Sequence, residues 1–165
     1  MTNDTDDLMM RVAITEALHS YCRGIDRLDP EAVRAAFHDD GVLIDYGAPQ
    51  PIPAVDFADR AIESLRDRYV ATQHRITNTS VVARSGASAR VETYILAYHV
   101  EDADGGKYLH TFNGRWIDEF EDRGDGWRIA QRTLRVDWTR RDQWQEDMRG
   151  DYVPSARDRS DAVYL

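Results

Sequence analysis

Apolar residues recur at steps of three and four along the first part of the chain. Met10, Ile14, Leu18, Tyr21, Cys22 and Ile25 form one stripe with mostly polar or small residues between them, which predicts an amphipathic helix over residues 6–25. A second helix has a sharp start, with Asp29 as N-cap, Pro30 at the first helical position and Glu31 in the first turn. Val33, Ala36 and Phe37 give it a short apolar stripe, and Asp39-Asp40-Gly41 predicts a turn into a strand over 41–46. The prolines at 49, 51 and 53 make 47–53 a loop, because proline cannot continue a ladder and restricts the residue before it. Phe57, Ala61, Leu65 and Tyr69, at steps of four, predict a third helix over 56–69. From Thr72 onward the period changes. Four long β-rich segments follow, 72–84, 87–101, 107–121 and 127–138, separated by short Gly/Asp-rich breaks. Such breaks between long strands predict hairpins, hence an antiparallel meander.

Helices first and strands after is the layout of an α+β domain, with helices packed on one face of a sheet. No internal repeat is visible, and one domain over residues 1–140 is the natural division. The polar remainder, 141–165, reads as a lid, a clasp on a neighbouring subunit or a frayed end; fraying is expected for its last ten residues or so. The length of 165 residues is enough to bury a core, and 42% apolar content excludes disorder by composition. A net charge of -9 argues against sequence-independent nucleic-acid binding, which needs a positive surface. No run is long and apolar enough for a membrane span, and the acidic N-terminus lacks the features of a signal peptide. Cys22 stands alone, so no intrachain disulfide can form; a reducing, cytoplasmic location is expected, with Cys22 a small buried residue.

The chemistry concentrates at the end of the first helix. A carboxylate at Asp26 faces the negative end of the helix dipole, where stability alone favours Lys or Arg. Asp26 either caps a turn, pairs with Arg23 or Arg27, or meets a partner from elsewhere in the chain. His74, near the start of the first long strand, is that candidate partner. A carboxylate accepting one imidazole N–H fixes the tautomer and leaves the other nitrogen free to take a proton. A lone strand histidine is more often a hydrogen-bonded core or edge residue than a base, so His74 needs Asp26 to make the case. His99, in the next hairpin strand, shares a cavity with His74 if the two face the same way. Tyr46 either donates to a substrate carbonyl as negative charge develops on its oxygen, or is a half-buried strand aromatic. One aspartate and two histidines also make a metal triad, but without compact local spacing this ranks lower. In the last segment strict alternation separates Arg132 from Arg135, and the more apolar even set places Arg132 toward the pocket, where it suits an anionic or electron-rich substrate; a plain surface charge is an equal alternative.

With YCRGIDRLDPEAVRAAFHDDGVLIDY, ATQHRITN, the Gly-Asp-Gly-Trp turn and IAQRTLRVDW in view, residues 8–140 resemble the SnoaL-like branch of the nuclear-transport-factor-2-like superfamily. That branch contains scytalone dehydratase, bile-acid 7α-dehydratase and hexachlorocyclohexane dehydrochlorinase. The resemblance implies a cone-shaped α+β fold, a strongly curved, antiparallel-rich sheet that three helices close around an apolar pocket. It implies Asp26 and His74 as catalytic residues with Tyr46 and His99 beside them, and Tyr21, Asn113 and Arg132 (or Arg135) on the substrate. Ile25 departs from the tyrosine of scytalone dehydratase, and His99 from the aspartate of the bile-acid enzyme. The implied activity is a lyase using neither cofactor nor metal, a dehydratase on a cyclic or aromatic hydroxy-carbonyl compound. An isomerase or polyketide cyclase with the same pair, and a non-catalytic binding protein, are the alternatives. A homotrimer is implied, with a dimer as the alternative.

Overall fold

The protein is described by a computed structural model over residues 4–103, 105–145 and 149–165. Helix α1 (Asp4–Asp26) opens on Asp4, Asp6 and Asp7, at the end where the helix dipole favours negative charge. It buries Met10, Ile14, Leu18, Tyr21 and Ile25, the stripe read from the sequence. Leu28, at φ 53°, then turns the chain, and Asp29 caps α2 (Pro30–Ala35) by accepting the Ala32 N–H at 3.3 Å. In α3 (Ala54–Arg68) the fully buried residues are Ala54, Ala58 and Ile62. The predicted stripe of Phe57, Ala61 and Leu65 is half-buried on the core's edge, because that side of the helix faces a hollow.

Strands β1 (Phe37–Ile44), β2 (Ile52–Pro53), β3 (Ala71–Ser85), β4 (Ser88–Ala103), β5 (Gly106–Asp122) and β6 (Trp127–Trp144) form one curved, unclosed sheet in the order β2-β1-β6-β5-β4-β3. Strands β3 to β6 are the predicted antiparallel meander, while β1 runs parallel to β6. The β5–β6 hairpin turns on Gly124 and Gly126, at φ 100° and 104°, whose N–H groups both donate to the Asp122 carboxylate. Alternate residues of the sheet (Val91, Ile95, Trp116, Phe120) meet Leu18, Ile25, Val33 and Phe37 in a single core. Among the described residues no helix is long and apolar enough to cross a membrane.

Strand β6 runs to Trp144, past the predicted end at 138 and across the expected boundary at 140, and Ile52–Pro53 pair with β1 inside the predicted loop; four further departures bear on the site. Phe37 heads β1 instead of closing α2, and the expected Asp39-Asp40-Gly41 turn is an irregularity inside that strand. Only glycine fits at 41, where a Cβ would lie 2.8 Å from the His38 carbonyl oxygen and 3.0 Å from that of Ile129. Strand β1 also ends early, at Ile44; Asp45 takes φ 62°, so Tyr46 follows the strand. In β6 the pairing steps from Phe120↔Ile129 to Glu119↔Gln131, so the bulge at Ala130 lets both Ile129 and Arg132 face inward. Strict alternation had put them on opposite faces. Finally, residues 155–165 return to the helices through Arg157, Asp161 and Tyr164, so the expected fraying does not occur; polar anchors replace the missing apolar stripe.

Candidate active site

Asp26 is the last residue of α1, and β3 is the outermost strand of the sheet, so main-chain N–H groups on its free edge lack a ladder partner. Asp26 supplies one. Its Oδ2 accepts the His74 main-chain N–H at 2.8 Å, and its Oδ1 lies 2.8 Å from His74 Nδ1. The carboxylate therefore takes the place of a neighbouring strand and also fixes the imidazole, with Nδ1–H donating. Two donors offset the unfavourable helix terminus. Among the described residues the ion-pair partner of Asp26 is His74 and neither Arg23 nor Arg27; Arg27 pairs with Asp161 at 3.1 Å. Among the described residues nothing hydrogen-bonds to His74 Nε2.

His74 forms part of the wall of a cavity of about 290 Å³, with Tyr21, Tyr46, Ser64, Arg68, Tyr69 and His99 as its other polar walls. Phe57, Ile95, Phe112, Trp116 and Leu134 make the rest largely apolar. Asp26 lies behind the imidazole, on a larger groove of about 1090 Å³ between the end of α1 and the edge of β3. His74 borders both spaces, so one face of the pair meets the hollow and the other is backed by the carboxylate.

The surrounding groups are tuned by burial. The His99 ring meets that of His74 edge-on at 5.1 Å and tilts over Tyr69 at 4.8 Å. Burial, reinforced by His74, lowers the His99 pKa to about 3, so this imidazole is neutral at physiological pH. The Tyr46 hydroxyl is buried without a hydrogen bond. Burial pushes Tyr46 well above the usual phenol range, keeping it a protonated donor. Tyr21 is pushed up to about 12 by burial and packs edge-on against Trp116. Cys22 is likewise pushed up to about 12, which suits a buried small residue and not a nucleophile.

The structure thus brings Tyr21, Tyr46, His74 and His99 to one cavity, with Asp26 directly behind. Three other candidates lie elsewhere. Arg132, expected at the pocket, is fully buried and bidentate to Asp118, at 2.8 Å from Nε and 2.7 Å from Nη2. Its guanidinium stacks 3.9 Å from the Trp116 ring and 4.4 Å from Tyr21, supporting the cavity wall from behind. Asn113 lies between the inward-facing Phe112 and Gly114, on the outer face of β5 opposite Leu96 and Trp138, away from the cavity. Arg135 is exposed and pairs with Asp45. Among the described residues no three His, Cys, Asp or Glu side chains are grouped to hold a metal, so Asp26, His74 and His99 are not arranged as a triad of ligands. Sequence reasoning missed Tyr69, although its place on the third helical stripe was a usable signal. It also missed Arg157, for which no local pattern existed.

The model of the SnoaL-like domain matches residues 6–133. The chain belongs to the SnoaL-like domain family. Its fold is shared with a candidate scytalone dehydratase from Novosphingobium aromaticivorans DSM 12444 (22% identity, TM-score 0.72, covering 93% of this chain and 100% of the other). A type 2 hexachlorocyclohexane dehydrochlorinase, LinA, is similar at 17% identity and TM-score 0.74, covering 91% and 100%. So is the beta subunit of a candidate aromatic-ring-hydroxylating dioxygenase from the same Novosphingobium strain, at 19% identity and TM-score 0.63, covering 82% and 93%. No curated protein matches the chain. At these identities the likeness is one of fold, the nuclear-transport-factor-2-like cone, and this SnoaL-like chain's chemistry rests on its own residues.

Proposed function

We propose that this SnoaL-like protein is a cofactor-independent lyase, a dehydratase acting on a cyclic or aromatic hydroxy-carbonyl compound. The observation that carries the reading is His74, held at Nδ1 by Asp26 with Nε2 unengaged at an apolar cavity. In this scheme Nε2 takes the proton from the carbon beside the substrate carbonyl. The C–H pair moves into a C=C bond, and the developing enolate oxygen receives the unpartnered Tyr46 hydroxyl. The neighbouring C–OH bond then breaks, and the imidazolium of His74 returns its proton to the departing hydroxide, releasing water. His99 stays neutral in this cycle, so its part is to donate or accept a hydrogen bond, not to supply a proton as an acid. The cavity lies near the lower end of the range for small-molecule pockets, which favours a substrate of one or two rings over a tetracyclic one.

Two fold neighbours carry the names of eliminating enzymes, a dehydratase and a dehydrochlorinase, which supports elimination as the reaction class. The same pair acting on a substrate without a leaving group gives an isomerase, and product mass separates the two. The test is turnover of hydroxy-carbonyl compounds by wild type, His74→Ala and Asp26→Asn. Loss of general-base help lowers the rate roughly a hundred- to ten-thousand-fold in either variant. Unchanged turnover in His74→Ala removes the proposal.

A further inference from the structure

We propose that residues 155–165 act as a splint that holds Asp26 and His74 in register, with Arg157 as its positioning residue. This rests on the reading of that pair as the reactive centre and names what keeps it aligned. The two residues come from elements far apart in sequence, the end of α1 and an edge strand with a neighbour on one side only. Their alignment therefore needs something that ties α1 to the start of β3.

The C-terminal segment makes that tie at both ends. On the α1 side, Asp161 pairs with Arg27, the residue after Asp26, at 3.1 Å. Two positions further on, Asp29 accepts the Tyr164 hydroxyl at 3.1 Å and pairs with Arg159 at 3.1 Å. On the other side, Arg157 donates to the carbonyl of Tyr69, to that of Leu65 at 3.4 Å, and to Thr72 Oγ1 at 3.5 Å. Thr72 sits two residues before His74, on the same face of β3, and Leu65 and Tyr69 line the cavity. Five residues of chain, from Arg157 to Asp161, thus span from the base of His74 to the base of Asp26. A planar guanidinium can reach all three acceptors at once, and an ammonium group cannot match that fork. Burial lowers the Arg157 pKa, and the charge of Asp26 opposes that lowering.

The test needs no substrate. Imidazole ¹⁵N shifts report the His74 tautomer, and amide hydrogen exchange reports the His74 N–H bonded to Asp26. Wild type, Arg157→Gln, a chain ending at residue 154, and Arg149→Gln as a control in the same tail are compared. The splint predicts one tautomer with Nδ1–H in wild type and control. Arg157→Gln and the shortened chain give mixed tautomers, and the His74 amide exchanges roughly ten- to a hundredfold faster. A wild-type tautomer and wild-type exchange in Arg157→Gln overturn the proposal, and that variant decides the matter where the shortened chain does not fold. Failure of the catalytic reading looks different: turnover persists in His74→Ala while the tautomer still depends on Arg157.

Discussion

Replacing Arg132 by Met tests whether this arginine is core or ligand-binding. Both partners of the Arg132–Asp118 pair are 0% exposed, and two hydrogen bonds join them. Removing the guanidinium leaves the Asp118 carboxylate buried and uncompensated, a loss of about 3–5 kcal/mol. For a domain of this size that lowers Tm by about 6–20 °C. Replacing both residues, Asp118→Leu with Arg132→Met, removes the uncompensated charge, and stability returns to near that of wild type or above it. The single variant also acquires a pH signature. Burial raises the Asp118 carboxyl above its ordinary value, with Arg132 the opposing influence; without Arg132 only the raising part remains. An acid whose folded pKa lies above its unfolded value binds its proton more tightly when folded. The deficit of Arg132→Met relative to wild type therefore shrinks as pH falls from 7 toward about 4. Urea unfolding across that range measures it. A deficit below about 1 kcal/mol, or one that does not change with pH, refutes the assignment of Arg132 to the core and restores it as a candidate for the substrate.

Two further outcomes follow from the cavity. Tyr46→Phe removes a buried hydroxyl that has no partner, so thermal stability holds or rises, while turnover falls about a hundred- to a thousandfold if that hydroxyl meets the enolate; a stability loss above about 1 kcal/mol refutes the unpartnered geometry. His99→Gln flattens the acid limb of stability. A histidine with its folded pKa lowered to about 3 gives stability that is present above the unfolded pKa, about 6.5, and is lost as pH falls through that interval; an identical pH dependence in variant and wild type refutes the buried neutral state.

What the chain reveals directly is what local pattern controls. The stripe of α1, the Asp29-Pro30 start and the glycine breaks each act over a few residues, so they read out without knowledge of the fold. The Asp26–His74 contact was legible for another reason: an aspartate at the wrong end of a helix dipole demands a compensating donor from elsewhere. The misplaced residues fail where one inserted residue changes parity. The Ala130 bulge moves Ile129 inward beside Arg132, and a sequence cannot announce a bulge that exists only because β6 carries one residue its partner strand does not match. Arg132 itself looked like a ligand-binding cation because its counter-charge, Asp118, lies on a different strand, where pairing is invisible until register is fixed.

The same limit explains the C-terminal segment, and it gives the site its logic. Residues 155–165 carry no apolar period, so nothing local predicts their order; their anchors, Arg27, Asp29 and Thr72, are polar and belong to other elements. An imidazole on a free sheet edge has less support than one in a central strand, since only β4 holds β3 in place. That free edge is also what lets Asp26 bond to the His74 main chain, which a seventh strand would forbid. The edge position thus makes the carboxylate contact available and leaves it weakly held, and the returning chain end restrains it from the outside without occupying the edge. A neighbouring strand would give rigidity at the cost of the contact; a strap tied to both sides gives rigidity and keeps it.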